Sequence, residues 1–212
     1  MAYFPMFINL KKKNCLVVGG GQVALRKVRV LLDFGADIMV VAPEILPQIQ
    51  ELEAQGVRIV KRSFCEEDLV GCVLVVAATD DNVQNHKVAQ LAKAQKIPVN
   101  AVDQKEDCTF IFPSYVRQDN LVGAFSSGGS SPVLTQYLKQ ELKTVLTPEL
   151  GQMNEYMGSI RDKVKDCVDT ERLRKTVYRK VLSILLEDEK LKLSEEQLNE
   201  IIAEVVQNRV DT

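Results

Sequence analysis

The sequence predicts an α/β protein: a Rossmann-like parallel sheet, then a small α+β segment, then a helical C-terminal domain. Three observations carry this. Apolar runs of strand length alternate with helical patterns across residues 15–103, as parallel strands joined by crossover helices do. The stretch Val17-Val18-Gly19-Gly20-Gly21-Gln22-Val23-Ala24 breaks an apolar run into three glycines and then a helical pattern. Beyond Asp103 the alternation stops, and two short strand-like runs lead into a long succession of helical patterns. The resulting divisions are 1–113, 114–147 and 148–212.

The bulk properties exclude several function classes. The 212 residues are enough for a sizeable core in one domain or two small ones. Hydrophobic residues at 46% and charged residues at 26% are ordinary for a soluble globular chain. A net charge of −2 argues against binding nucleic acid by bulk charge. No apolar stretch approaches the ~18 residues of a membrane span, and the N-terminus lacks the basic start and apolar core of a signal peptide. The expectation is a cytoplasmic protein with no membrane and no nucleic-acid partner. Its 5 cysteines are odd in number and form no C-x-x-C pair, so they read as reduced thiols. With a single histidine, His86, a His/Cys metal centre lacks ligands. His86 itself reads as a surface helix residue.

In chain order, Phe4, Met6, Phe7, Ile8 and Leu10 suggest a segment packed on the sheet edge. Strand one is Cys15–Val18. The first helix runs from Gln22 to Phe34, with Val23, Val30, Leu31 and Phe34 among its apolar positions, and Gly35 ends it. Arg26, Lys27 and Arg29 on this helix read as a solvated face. Strand two, Asp37–Ala42, is apolar from Ile38 on, as a strand buried on both faces should be. A helical run from Pro47 to Ala54, stopped by Gly56, precedes strand three, Val57–Val60. Strand four is Val73–Ala78, followed by a helix from Asn82 to Gln95 carrying Val83, Val88 and Leu91. Strand five is Ile97–Val102, with Pro98 tolerable at its start.

Thr109–Phe112 and Leu121–Phe125 then read as strands, joined through Pro113-Ser114-Tyr115 and the polar turn Gln118-Asp119-Asn120. Ser131 as N-cap and Pro132 at the first helical position open a helix through Val145. After Pro148 the pattern stays helical. Leu150, Met153, Met157 and Ile160 recur on one face; Leu173, Val177, Val181, Leu182 and Leu185 follow, then Leu198, Ile201, Ile202 and Val205.

Several residues carry candidate chemistry. Gly19, Gly21 and Ala24 fit the G-x-G-x-x-G/A dinucleotide turn: a tight turn, close backbone approach to a pyrophosphate, and close helix–strand packing. The helix N-terminus then offers unpaired N–H groups and a positive dipole end. A tight βα turn can want glycines without any ligand, so the signal alone is weak. Strand two ends at Pro43 and Glu44. An acid there commonly accepts bonds from ribose hydroxyls. Glu44 lies 25 residues past Gly19, slightly late, so a backbone ribose contact with Glu44 as helper is the expectation. No Arg or Lys follows to meet a 2′-phosphate, which favours NAD over NADP. Thr79 and Asp80 sit at the carboxyl end of strand four, where open α/β sheets bind ligands, or they serve to cap the next helix. Asp103 ends strand five and is either a general base or a turn residue. The loop Ser126–Ser131 either presents N–H groups and hydroxyls to an anion or only starts a helix.

Together these residues carry a resemblance. Cys15 to Ala24 with Arg26-Lys27, Ala77-Ala78-Thr79-Asp80, Asn100-Ala101-Val102-Asp103, Phe110-Ile111-Phe112-Pro113-Ser114 and Ser126 to Leu134 are similar to the siroheme synthase dehydrogenase module. Its members are precorrin-2 dehydrogenases, some of them also sirohydrochlorin ferrochelatases. The similarity runs unbroken from about Phe4 to Leu150, while the helical tail matches in character only. The resemblance implies NAD-dependent oxidation of precorrin-2 to sirohydrochlorin, in siroheme or cobalamin biosynthesis. It carries cofactor contacts onto Gly19, Gly21, Gln22, Val23, Pro43 and Glu44, to which the strand-four reading adds Thr79. It carries the essential aspartate onto Asp103 and the substrate serine onto Ser127, beside Gly128. It also implies a homodimer formed through residues 114–147. Since the tetrapyrrole bears eight carboxylates, Arg117, Lys139 and Arg161 are candidate partners for them, against a reading as ordinary surface charges. The alternatives are a bifunctional enzyme that also inserts Fe²⁺, whose metal ligands the macrocycle itself would supply, and a non-catalytic NAD or tetrapyrrole sensor. No appended methyltransferase segment is expected, which sets aside a trifunctional form.

Overall fold

The computed structural model describes residues 3–207 and divides the chain into two units, Met1–Phe112 and Pro113–Thr212. In the first unit five parallel strands form one sheet: β1 (Asn14–Val18), β2 (Asp37–Val41), β3 (Arg58–Val60), β4 (Leu74–Ala77) and β5 (Val99–Ala101). Their order is β3-β2-β1-β4-β5, so strand order reverses between β1 and β4. Helix α1 (Gln22–Asp33) links β1 to β2, and α3 (Asn82–Ala94) links β4 to β5. Helix α2 (Pro47–Gln50) tightens into a 3-10 turn over Glu51–Gln55, splitting the single helix that the pattern suggests, and Gly56 ends it in the left-handed conformation.

Period-two alternation explains the core. Cys15 and Val17 point to one face of β1 and Leu16 and Val18 to the other. On the first face they pack with Ala24, Leu25, Val28 and Leu31 of α1; on the second with Val88, Ala89 and Ala92 of α3. Cys15 to Val18 are each at most 1% exposed, and each large apolar side chain so buried contributes about 1.5–3 kcal/mol. The register sets up the site. Val18 lies opposite both Val41 and Ala77, and Ala77 opposite Ala101. Four strands therefore end level, and the turns that follow them open on one edge.

Four expectations are corrected here. Residues 3–10 do not pack on the sheet edge: Phe4, Met6, Phe7 and Ile8 are exposed, and only Leu10 reaches the core. Thr109–Phe112 is not a strand. It lies along the open edge of β5, where Thr109 N–H donates to the Val99 carbonyl and Val99 N–H donates to Thr109 Oγ1. Asn100 Nδ2 donates to the Phe110 carbonyl, so one backbone bond and two side-chain bonds close an edge that a sixth strand would have extended. The strand instead begins at Ser114, within the stretch read as a connection. Finally, Lys27 is not part of a solvated face but half-buried, and Val83 of α3 is an exposed residue rather than a core one.

The second unit opens with an antiparallel hairpin, β6 (Ser114–Gln118) and β7 (Leu121–Phe125), turned by Asp119 at φ 51. Five helices follow: α4 (Pro132–Val145), α5 (Pro148–Ser159), α6 (Arg161–Cys167), α7 (Glu171–Glu187) and α8 (Glu195–Gln207). Side chains cap four of them: Ser131, Thr147, Thr170 and Ser194 accept from Leu134, Leu150, Leu173 and Gln197 N–H respectively. The anticipated stripes bury Met153, Ile160, Val177, Val181, Leu185, Leu198, Ile201, Ile202 and Val205 in one cluster, while Leu182 stays partly exposed. Helix α4 contributes no buried residue.

Candidate functional site

The glycine turn separates what the fold needs from what a ligand needs. Gly19 has φ +126, and a Cβ there would stand 2.2 Å from the Ala78 carbonyl oxygen. At Gly20 a Cβ would stand 2.0 Å from the Glu44 carbonyl oxygen. Leu46 N–H also donates to the Gly20 carbonyl, so the turn and the Pro43-Glu44 corner after β2 are held together. Gly21 differs. A Cβ on it would meet nothing within 4 Å. It is the N-cap of α1, supplies no side-chain cap, and no acidic residue follows in the first turn. The first-turn N–H groups of α1, including Gln22 and Val23, thus start beside open space at Gly21, with no acidic residue in that turn to repel an anion. That cradle fits the pyrophosphate of a dinucleotide. Ala24 is fully buried, as close helix–strand packing requires.

At the end of β4, Thr79 is clamped by Asn85, a residue that sequence reasoning missed. Asn85 is 1% exposed. Its Oδ1 accepts from Thr79 N–H at 3.0 Å and lies 2.8 Å from Thr79 Oγ1, and its Nδ2 donates to the Thr79 carbonyl at 3.0 Å. The capping role falls to Asp81, which accepts from Val83 and Gln84 N–H. Thr79 is therefore rigidly presented at the ligand edge. The available signal was a polar residue on the α3 face that packs on the sheet, one turn in from the cap.

Asp103 lies just past β5 at φ 60, a left-handed corner that Asp tolerates better than most residues. It is exposed. The corner is braced from behind. Cys108 Sγ lies 3.1 Å from the Ala101 carbonyl and 3.3 Å from the Gln104 carbonyl, and Ala101 N–H donates to it at 3.3 Å. Burial pushes the Cys108 thiol up, keeping it a hydrogen-bonding thiol. Next to Asp103, Gln104 Oε1 is buried without a hydrogen-bond partner among the described residues. The loop is anchored through Asp107, 3% exposed, which binds His86 Nδ1 at 2.6 Å and Lys93 Nζ at 3.1 Å. Burial pushes the Asp107 carboxyl up, but these two bonds outweigh it and hold it below the usual carboxylate range. His86 is exposed on its helix as anticipated, yet it serves this buried anchor.

Lys27 Nζ lies 3.8 Å from the centroid of the Phe112 ring, and Phe112 in turn stacks at a tilt on Phe110. Burial, with a contribution from neighbouring Arg26, lowers its pKa to about 8.

In the second unit, Ser126–Ser131 is a self-bonded loop. Gly128 N–H donates to Ser126 Oγ and Ser131 N–H donates to Ser127 Oγ, each at 3.0 Å. Gly128 and Gly129 take left-handed φ of 63 and 84. The hydroxyls of Ser126 and Ser127 already accept bonds, so what they retain for a ligand is chiefly a donor hydrogen. Arg117 lies on β6, where its Nε donates to the Asp119 carbonyl at 2.7 Å. Lys139 Nζ stands 5.4 Å from the Tyr115 ring centroid. Arg161 opens α6 and lines a cavity with Asn120, Glu155 and Tyr178. Among the described residues no group of three or more His, Cys, Asp or Glu could hold a metal ion, and no helix is long and apolar enough to cross a membrane.

A family model for NAD(P)-binding domains (NAD_binding_7) matches residues 6–114. The chain is 40% identical over 183 residues to a siroheme synthase of Nitrosococcus oceani, covering 86% of this chain and 39% of that protein. It is 37% identical over 210 residues to the siroheme synthase of Methylobacillus flagellatus, covering 99% and 45% respectively. The chain thus spans less than half the length of these relatives. Among solved structures, SirC, a precorrin-2 dehydrogenase, superposes with a TM-score of 0.70 at 25% identity, covering 97% of this chain and 100% of that one.

Proposed function

The chain belongs to this family of NAD(P)-binding domains, and from that premise we propose that it oxidises precorrin-2 to sirohydrochlorin with NAD⁺. The observation that carries the reading is the shared edge: the glycine turn, Thr79 and Asp103 follow β1, β4 and β5, which end level. The whole-chain likeness to SirC supports the choice of substrate. NAD⁺, when bound, supplies the acceptor for a hydride and its electron pair. The α1 N-terminus with Gly19, Gly21, Gln22 and Val23 holds the pyrophosphate; Pro43, Glu44 and Thr79 flank the ribose portions. Glu44, with no cation directly after it, favours NAD over NADP. Oxidation removes one hydride and one proton from the macrocycle, and the Asp103 carboxylate takes the proton. Its left-handed corner pushes the carboxylate clear of the strand end, and the Cys108 and Asp107 braces keep it there. Ser127, Gly128 and Arg117 are assigned to the substrate.

We assign residues 1–113 to NAD binding, 114–147 to dimerisation and 148–212 to a helical domain. Helix α4 supports a homodimer: it has no buried residue, yet exposes Val133 at 80%, Tyr137 at 58% and Val145 at 60%. Five unpaired cysteines fit a cytoplasmic, reducing setting.

NADH formation from precorrin-2 tests the main reading; no turnover by folded protein overturns it. Asp103→Ala should abolish oxidation and leave NAD⁺ affinity within about twofold of wild type. Lost NAD⁺ affinity in that variant would instead assign Asp103 to the cofactor. Adding Fe²⁺ to sirohydrochlorin and following its absorption reads the chelatase activity separately.

A further inference from the structure

We infer that Lys27 anchors an anionic side arm of the substrate on the first unit, beside the Asp103 corner. The inference rests on the proposed reaction for the identity of that anion, a carboxylate of the tetrapyrrole. Its observations are independent of the glycine turn.

Lys27 is half-buried, and no carboxylate among the described residues forms an ion pair with it. The groups that face it are Arg26 on its own helix, the Cys108 thiol from the segment after β5, and the Phe112 ring. None of these is an anion at neutral pH. A half-buried ammonium loses hydration, and an aromatic face returns only part of it, about 0.5–2 kcal/mol. An arriving carboxylate completes the pairing.

The placement points to the substrate rather than the cofactor. At 1.5 Å per residue, Lys27 stands about 7.5 Å along α1 from Gln22, beyond the first-turn N–H groups that receive a pyrophosphate. Its charge reaches Cys108, and Cys108 is the thiol bonded to both ends of the Ala101–Gln104 corner that carries Asp103. Phe112 ends the segment whose Thr109 and Phe110 bond to Val99 and Asn100 of β5, so the ammonium over its ring stands on the β5 side, while the cofactor cradle is at β1. A purely structural pin for Phe112 would need the alkyl stem and not the charge.

The test titrates sirohydrochlorin, followed by its absorption, into wild type, Lys27→Met and Lys27→Arg, with NAD⁺ titrations and thermal midpoints alongside. Methionine keeps the stem and removes the charge, so the tetrapyrrole Kd should rise about tenfold or more with NAD⁺ affinity and midpoint unchanged. Arginine should restore most of the affinity. Wild-type affinity should fall as pH rises through about 8, where Lys27 loses its proton, and the methionine variant should be flat across that range. Unchanged tetrapyrrole affinity in Lys27→Met, lost NAD⁺ affinity instead, or a wild-type profile flat through about pH 8 each overturns the inference. The pH profile needs no variant, so it decides even where a substitution unfolds the protein. Wild type that binds sirohydrochlorin but makes no NADH from precorrin-2 overturns the proposed reaction and leaves the anchor standing.

Discussion

Replacing Gly21 by alanine should separate cofactor binding from folding at a single methyl group. The backbone there has φ −90 and ψ −170, a region open to any L-residue, and the new Cβ meets nothing within 4 Å. Removing glycine's freedom from the unfolded chain stabilises by about 0.4–1 kcal/mol. Alanine is a poorer N-cap than glycine, which costs a comparable amount. The net change should stay within about 1 kcal/mol, a shift of about 4 °C or less in a chain of this size. The methyl nonetheless enters the space through which a phosphate oxygen must come to within about 2.9 Å of backbone N–H. Losing one hydrogen bond to a charged group costs about 1.5–3 kcal/mol, roughly a ten- to hundredfold rise in Kd. Calorimetric titration with NAD⁺ and urea unfolding of the same sample read the two effects. Gly19→Ala and Gly20→Ala are the contrast, because their methyl groups would meet backbone carbonyl oxygens at 2.2 and 2.0 Å; both should fail to fold. Wild-type NAD⁺ affinity in Gly21→Ala would refute the assignment of the α1 N-terminus to the pyrophosphate. A folded Gly20→Ala would refute the packing argument.

Two further outcomes follow from buried polar groups. Asn85→Ala removes the bonds to Thr79 N–H and carbonyl and should cost about 2–4 kcal/mol in urea unfolding while weakening NAD⁺ binding; a loss under about 0.5 kcal/mol would show that water replaces the clamp. Asp68 is held below the carboxylate reference of 3.8 chiefly by the Arg62 hydrogen bonds, and a folded-state pKa below the unfolded one gives stability that is present above about pH 4 and lost as pH falls. Arg62→Gln should therefore destabilise at neutral pH and narrow the stability difference between about pH 6 and about pH 2; an unchanged difference in acid unfolding would sink this.

Most of the first unit was legible because buried parallel strands announce themselves. Ile38 to Val41 and Leu74 to Ala77 are unbroken apolar runs, and glycines mark where they turn. Helix α4 was legible at both ends: Ser131 and Pro132 state its start, and it closes at Val145 where the pattern breaks before Pro148. The failures share a cause: each depends on a partner distant in sequence. Phe4, Met6 and Phe7 look like core residues by type, yet the folded chain leaves all three exposed. Lys27 lies on a helix amid cations and reads as solvated until Phe112 is folded over it. Asn85 is polar in a helix and reads as surface, though its turn faces the Thr79 backbone.

Thr109–Phe112 is the most instructive failure, because the candidate catalytic corner depends on it. A repeating α/β pattern would follow β5 with another crossover helix, and the apolar run after Asp103 invites reading a strand. The chain does neither. Asp103 takes a left-handed corner, Lys105–Asp107 makes one 3-10 turn, and the chain folds back so that Thr109 bonds to Val99. Asp107 and Cys108 become the two fastenings of that return. With a helix after β5, the residue at position 103 would pass into its first turn, where a carboxylate caps N–H groups. The break in the repeat keeps the Asp103 carboxylate out of any such cap, exposed at the sheet edge and free of hydrogen bonds to the described residues. A departure from regular structure thus leaves this aspartate exposed past the end of β5, where the proposed general-base role needs a free carboxylate.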